Sequence, residues 1–130
     1  MLAIYVAVIV DVEGALSSGS LMNNVYLADN NQYIGSWQQG TSELHTVCQD
    51  GQSVGWWAMP IDPGTDAVIA GFSGAMVSSG VCQPKENISA GDHAWAGRVE
   101  TQGSVGSFPY TVNVSIGGKV MSFSATLKVV

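Results

Sequence analysis

The chain has 130 residues, of which 46% are apolar and only 11% charged, and its formal net charge is −6; an ordinary globular chain carries roughly 25% charged residues. No Lys or Arg precedes Lys85, so residues 1–84 hold seven acids and no base, while residues 85–130 hold three acids and four bases. Nucleic acid and anionic lipid are bound through clustered cations and are therefore not expected as partners. The opening MLAIYVAVIV has neither the basic flank of an export leader nor the length of a membrane span, so the protein is expected in the cytoplasm, or released without a classical signal peptide.

This length predicts a single domain over residues 1–130, able to bury about two thirds of its unfolded surface. Seventeen valines against six leucines, with 16 glycines, is the balance of pleated sheet. From Leu2 to Val12 the even positions Leu2, Ile4, Val6, Val8, Val10 and Val12 share one face, with Tyr5, Ala7 and Ile9 on the other. A strand apolar on both sides suits the centre of a sheet. Glu13–Met22 is short and rich in Ser and Gly and reads as a loop. A strand at Val25–Ala28 is followed by the Asx-rich turn Asp29–Gln32, with a return piece near Tyr33–Trp37, a turn at Gln38–Ser42, and a strand at Leu44–Cys48.

Ser53–Ile61 reads as a strand stopped by Asp62-Pro63-Gly64. Ala67–Val77 reads as the next, with Gly71 and Gly74 pointing to a bulge or to the close approach of another backbone. Ser78–Asp92 is the longest irregular stretch, a class of loop that often carries function. Strands at Ala94–Thr101 and Pro109–Ile116 come next. Tyr110–Val129 has the strongest local signal, two alternating runs joined by Gly117-Gly118, which predicts a hairpin with a type I′ turn. The fold class expected is all-β, a two-sheet antiparallel β-sandwich, immunoglobulin-like in general architecture, with a barrel as the alternative.

No motif assigns catalysis, a cofactor or a metal. Cys48 and Cys82 are the only cysteines; they are read either as buried free thiols or as a disulfide tying the long loop to the sheet. His45, Cys48, Cys82 and His93 match a zinc ligand count, but positions three apart on a strand face opposite ways. Asp11, Glu13, Asn23, Asn24, Asp29, Asn30 and Asn31 could supply oxygens to calcium, yet they lack its loop spacing and are explained by turns. Gly71-Phe72-Ser73-Gly74 misses the spacing of a nucleophile elbow, so no enzyme activity is expected. The sequons at Asn87 and Asn113 carry little weight without an export signal.

Trp37, Trp56, Trp57 and Trp95 are the candidate ligand or partner surface. Adjacent Trp56 and Trp57 must face opposite ways on their strand, one into the core and one outward, where it could stack on a sugar or pack on another subunit.

The run Val6-Ala7-Val8-Ile9-Val10-Asp11-Val12-Glu13-Gly14-Ala15-Leu16 resembles the opening of the bacterial inclusion-body family typified by PixA and AidA. The resemblance implies a leaderless β-sandwich of the kind that accumulates as intracellular inclusions or is expressed under quorum sensing in host-associated bacteria. It brings no functional residue with it. The function expected is non-enzymatic: self-association as a homo-oligomer. The alternative is a recognition module for a glycan or protein partner, such as a lectin or an accessory subunit of a secreted toxin. The missing lysines also remove the edge charges that discourage strand pairing, which leans toward assembly.

Overall fold

The structure, a computed structural model, describes residues 3–31, 35–62, 64–87 and 94–130. Among the described residues, nine strands form two packed sheets: β1 (Ile4–Val10), β2 (Val25–Asp29), β3 (His45–Cys48), β4 (Ser53–Pro60), β5 (Ala67–Ser73), β6 (Lys85–Asn87), β7 (Ala94–Arg98), β8 (Gly106–Ile116) and β9 (Lys119–Val129). One sheet runs β2-β1-β4-β7-β6 and the other β3-β9-β8-β5. The all-β sandwich read from alternation is therefore the fold.

Alternation encodes which face a residue takes and says nothing of strand direction, and here the antiparallel expectation needs correcting. β1 lies parallel to β4, and β3 parallel to β9, so both sheets are mixed. Between β1 and β4 the chain visits β2 and then crosses to the other sheet as β3, which lets β4 enter alongside β1 in the same direction; parallel neighbours always need such a crossover.

The core lies between the sheets. Ile4, Val6, Val8 and Val10 of β1, Leu27 of β2 and Trp56 of β4 meet Val112, Val114 and Ile116 of β8 and Phe123 and Leu127 of β9, all essentially inaccessible to solvent. The β8–β9 hairpin pairs from Gly106↔Val129 to Ile116↔Lys119, and Gly117 and Gly118 take φ of 54° and 82°, the positive pair that a type I′ turn requires. Gly71 marks a bulge in β5, where the register with β8 shifts after Ile69. Gly74 is the close approach: its φ is 97°, and a Cβ there would sit 3.1 Å from Pro109 O and Tyr110 Cα. That turn ends β5 at Ser73, short of the expected Val77, and residues Ala75–Ser78 form a single helical turn, α2.

Two further expectations change. The segment read as a loop after β1 contains α1 (Val12–Ser18), which buries Val12 and Ala15. Asp11 caps it, its side chain accepting from Gly14 N at 3.0 Å, and Gly19 closes it with φ of 74°. Those caps compensate for a body, VEGALSS, with little helix propensity. The long stretch Ser78–Asp92 includes β6, which pairs with β7; positions 88–92 of it lie outside the described residues, as do Gln32 of the expected Asx turn and Tyr33 and Ile34 of the expected return piece.

Candidate functional site

The four tryptophans have separate roles. Trp56 points inward, 1% exposed, and donates from Nε1 to the Tyr110 hydroxyl at 3.3 Å across the two sheets. It is core and not partner surface, because even positions of β4 face the second sheet. Trp95 is half-buried with Nε1 donating to Ile69 O at 3.1 Å and its ring tilted against Phe72, so it too serves packing. Trp57 faces outward, as its adjacency to Trp56 requires, and stands edge-on to Tyr5 with ring centroids 6.2 Å apart. Trp37 is 43% exposed and stacks on His45 at 4.4 Å. Its backbone bridges β3 through Trp37 N to His45 O and His45 N to Trp37 O.

Trp57 belongs to a larger feature that single-residue reading misses: the outer face of the five-stranded sheet. Register places Tyr26, Ile9 and Met59 in one row, Ala28, Ala7 and Trp57 in the next, and Tyr5, Gly55 and Ala96 in a third. None is charged. Tyr5, Tyr26 and Met59 are 52%, 42% and 40% exposed, and Ile61 just beyond β4 is 53% exposed. The Tyr5 ring lies over Gly55, whose missing Cβ would touch it at 3.4 Å.

The outer face of the other sheet follows the opposite rule. There β8 and β9 present Thr111 bonded to Ser124 and Asn113 bonded to Ser122, each at 3.0 Å, with Thr126 and Lys128 further along. One sheet thus shows the polar exterior usual for a sandwich strand, while the β2-β1-β4 part of the other shows aromatic and aliphatic side chains, with Lys85 of β6 and Arg98 of β7 to one side of it.

Cys48 and Cys82 are buried, unbonded thiols. Burial pushes both pKa values up to about 12, with nearby Cys82 adding to the rise at Cys48 and Glu100 adding to the rise at Cys82. Neutral, apolar-packed thiols of this kind are poor nucleophiles. His45 and Cys48 project to opposite sides of β3: Cys48 is in the core, while the His45 ring lies under Trp37 with Nδ1 2.9 Å from Glu43 O. His93 lies outside the described residues. Among those described, no group of three or more His, Cys, Asp or Glu is placed to hold a metal.

Several of the Asx residues weighed for calcium are engaged in hydrogen bonds, most of them between segments far apart in the chain and not within the turns expected. Asp29 accepts from Thr46 Oγ1 at 2.8 Å and from Gln39 Nε2 at 2.9 Å; Asn24 Nδ2 donates to Ser20 O at 2.8 Å; Asn30 Oδ1 accepts from Tyr5 N at 3.0 Å; and Asn31 Nδ2 donates to Val47 O. At the end of the sandwich near the start of β4, Asp50 accepts from the backbone of Thr101 and Gly103 at 2.7 and 3.0 Å, bonds that hold its carboxyl below the usual range. Shallow depressions of about 430 and 310 Å³ adjoin there and share Glu100 and Gln102. They contain no histidine, cysteine or lysine.

A family model described as "Domain of unknown function (DUF8788)" matches residues 2–122. The chain belongs to this family. A search of curated proteins finds no match. Among solved structures, the chain is similar to the crystal structure of an inclusion body protein (PixA) from Burkholderia cenocepacia J2315. The TM-score is 0.75 at 14% identity, covering 100% of this chain and 98% of that one. At that identity the likeness is one of fold. The resemblance carried by the opening strand therefore holds at the level of the PixA-like fold, while the sequence family is DUF8788. No helix among the described residues is long and apolar enough to cross a membrane.

Proposed function

We propose that this DUF8788 protein is a non-enzymatic structural protein that works in the cytoplasm by associating with itself. The observation that carries this reading is the outer face of β2, β1 and β4, uncharged in its three central rows, where Tyr5, Tyr26 and Met59 stand 40–52% exposed, with Ile61 just beyond β4, on a chain of net charge −6. Isolated exposed apolar residues are ordinary, but a contiguous face of them marks an association surface. The inclusion body protein of the same fold supports the reading by analogy. Sedimentation velocity over a wide range of protein concentration tests it: the mean sedimentation coefficient rises with concentration, and a constant monomer value refutes it.

A second reading, recognition of a glycan, draws on Trp37, whose ring is 43% exposed and backed by His45 beside Gln38 and Gln39. Titration with a broad glycan set, followed by tryptophan fluorescence, gives a saturable change under this reading and a flat response otherwise.

A further inference from the structure

From the same face we infer that the partner is a second copy of this chain, docked sheet face to sheet face over Tyr5, Ile9, Tyr26, Trp57 and Met59, in a closed pair. This deepens the self-association reading and rests on it, adding the surface and the geometry.

Charge favours a second copy. Ten acids against four bases make two copies repel each other over most of their surface. The outer positions of β2, β1 and β4 in these three rows contain no charged residue, and Lys85 of β6 and Arg98 of β7 stand to one side of them on the same face, so two copies that meet over β2, β1 and β4 do so without a like-charge pair at the centre. Composition favours it as well, since Tyr, Trp and Met are the residue types enriched at the buried centre of protein interfaces. Three strands at about 4.8 Å spacing and about 20 Å of length give a flat footprint of roughly 300 Å², a compact contact beside the roughly 800 Å² that each partner contributes to a standard complex.

The edges of the sandwich, in contrast, are obstructed. Bridges Leu27↔Thr41 and Trp37↔His45 lay the segment 37–41 along both β2 and β3. β5 carries the bulge at Ile69/Gly71, and β6 has only three residues and begins with Lys85. Bulges, short strands and edge lysines are the devices that prevent strand-to-strand growth. With the edges blunted and one face open, the association that remains is face to face. A patch that pairs with its own copy about a two-fold axis is used up in the pair and closes the assembly at two. The lean toward edge pairing drawn from the missing lysines is replaced by this geometry.

Light scattering coupled to size exclusion tests the inference on three forms of the full chain: wild type, Met59→Lys in the apolar face, and Ser122→Lys in the polar face of the other sheet. Met59 and Ser122 are both exposed, and melting curves verify that each variant remains folded. The expected result is a dimer for wild type and Ser122→Lys, with the dissociation constant of Met59→Lys raised at least tenfold. If wild type assembles and Met59→Lys assembles equally well, this face is not the interface, although self-association stands. If Ser122→Lys is the variant that dissociates, the interface is the other face. Open-ended polymers overturn the closed pair. A wild type that stays monomeric overturns both the face and the function, and a monomer that instead floats with phospholipid vesicles assigns the face to lipid.

Discussion

Replacing Tyr110 by Phe removes one of the polar links between the two sheets, the bond from Trp56. Tyr110 and Trp56 are each 1% exposed, sit on opposite sheets, and are joined by the Trp56 Nε1 bond to the hydroxyl at 3.3 Å. Phe preserves the ring that packs edge-on to Trp56 at 5.7 Å, so the change removes an oxygen and little apolar contact. What it leaves behind is a buried indole N–H with no acceptor, and a group stranded in that way costs about 1–3 kcal/mol. The bond is longer than the ~2.9–3.0 Å mode for N–H donors, which places the expectation in the lower half, about 1–2 kcal/mol. For a chain of this length that corresponds to a fall in melting temperature of roughly 3–10 °C. Urea denaturation followed by tryptophan emission measures it. In the Trp56→Phe background the same Tyr110 substitution costs less, by about 1 kcal/mol, because the donor is already gone. A Tyr110→Phe protein as stable as wild type, or equal costs in both backgrounds, would refute the reasoning.

Gly74→Ala forces a Cβ to 3.1 Å from two backbone atoms at a φ of 97° and should cost about 1–3 kcal/mol, whereas Gly19→Ala, which has open space at a φ of 74°, should cost no more than about 1 kcal/mol; paired melting curves compare them. Asp11→Ala removes the α1 cap and should cost about 1 kcal/mol, with amide exchange accelerating first in Val12–Ser18. Both thiols have folded pKa values raised from 9.0 to about 12, so their contribution to stability is complete below pH 9 and declines as pH rises from about 9 to about 12. Denaturant midpoints of wild type and of Cys48→Ala/Cys82→Ala should therefore show the steeper alkaline fall for wild type. Limited trypsinolysis should leave residues 1–84 in one piece, since no Lys or Arg precedes Lys85; mass spectrometry of a first cut inside that stretch would contradict the sequence logic.

Much of this fold is legible from period-two patterning. Val6, Val8 and Val10 face inward and Tyr5, Ala7 and Ile9 outward, as the alternation requires, and Gly117-Gly118 sets the β8–β9 turn. Direction is not legible, because β1 next to β4 buries the same side chains whether the pair is parallel or antiparallel. α1 escapes notice because its helix-forming body is weak, although Asp11 and Gly19 at its ends are a readable cap pair. The tryptophan list catches Trp57 on the surface but also includes Trp56, since composition cannot tell which of two adjacent aromatics takes the inner face. The outer apolar face was partly visible: β1 reads as apolar on both sides. Burial on both sides of a strand implies either a third layer or a partner, and only the two-layer architecture shows that the described chain provides no such layer.

Methionine and tyrosine footprinting by hydroxyl radicals, at low and high protein concentration, tests whether two copies meet over the outer face of β2, β1 and β4. Met59 and Tyr5 lie in the proposed contact, while Met22, 49% exposed beside α1, lies outside it and serves as the internal reference. Oxidation of Met59 and Tyr5 is expected to fall relative to Met22 as the protein is concentrated. Ratios of Met59 and Tyr5 oxidation to Met22 oxidation that stay constant with concentration, in a sample that sediments as an assembly, would contradict it.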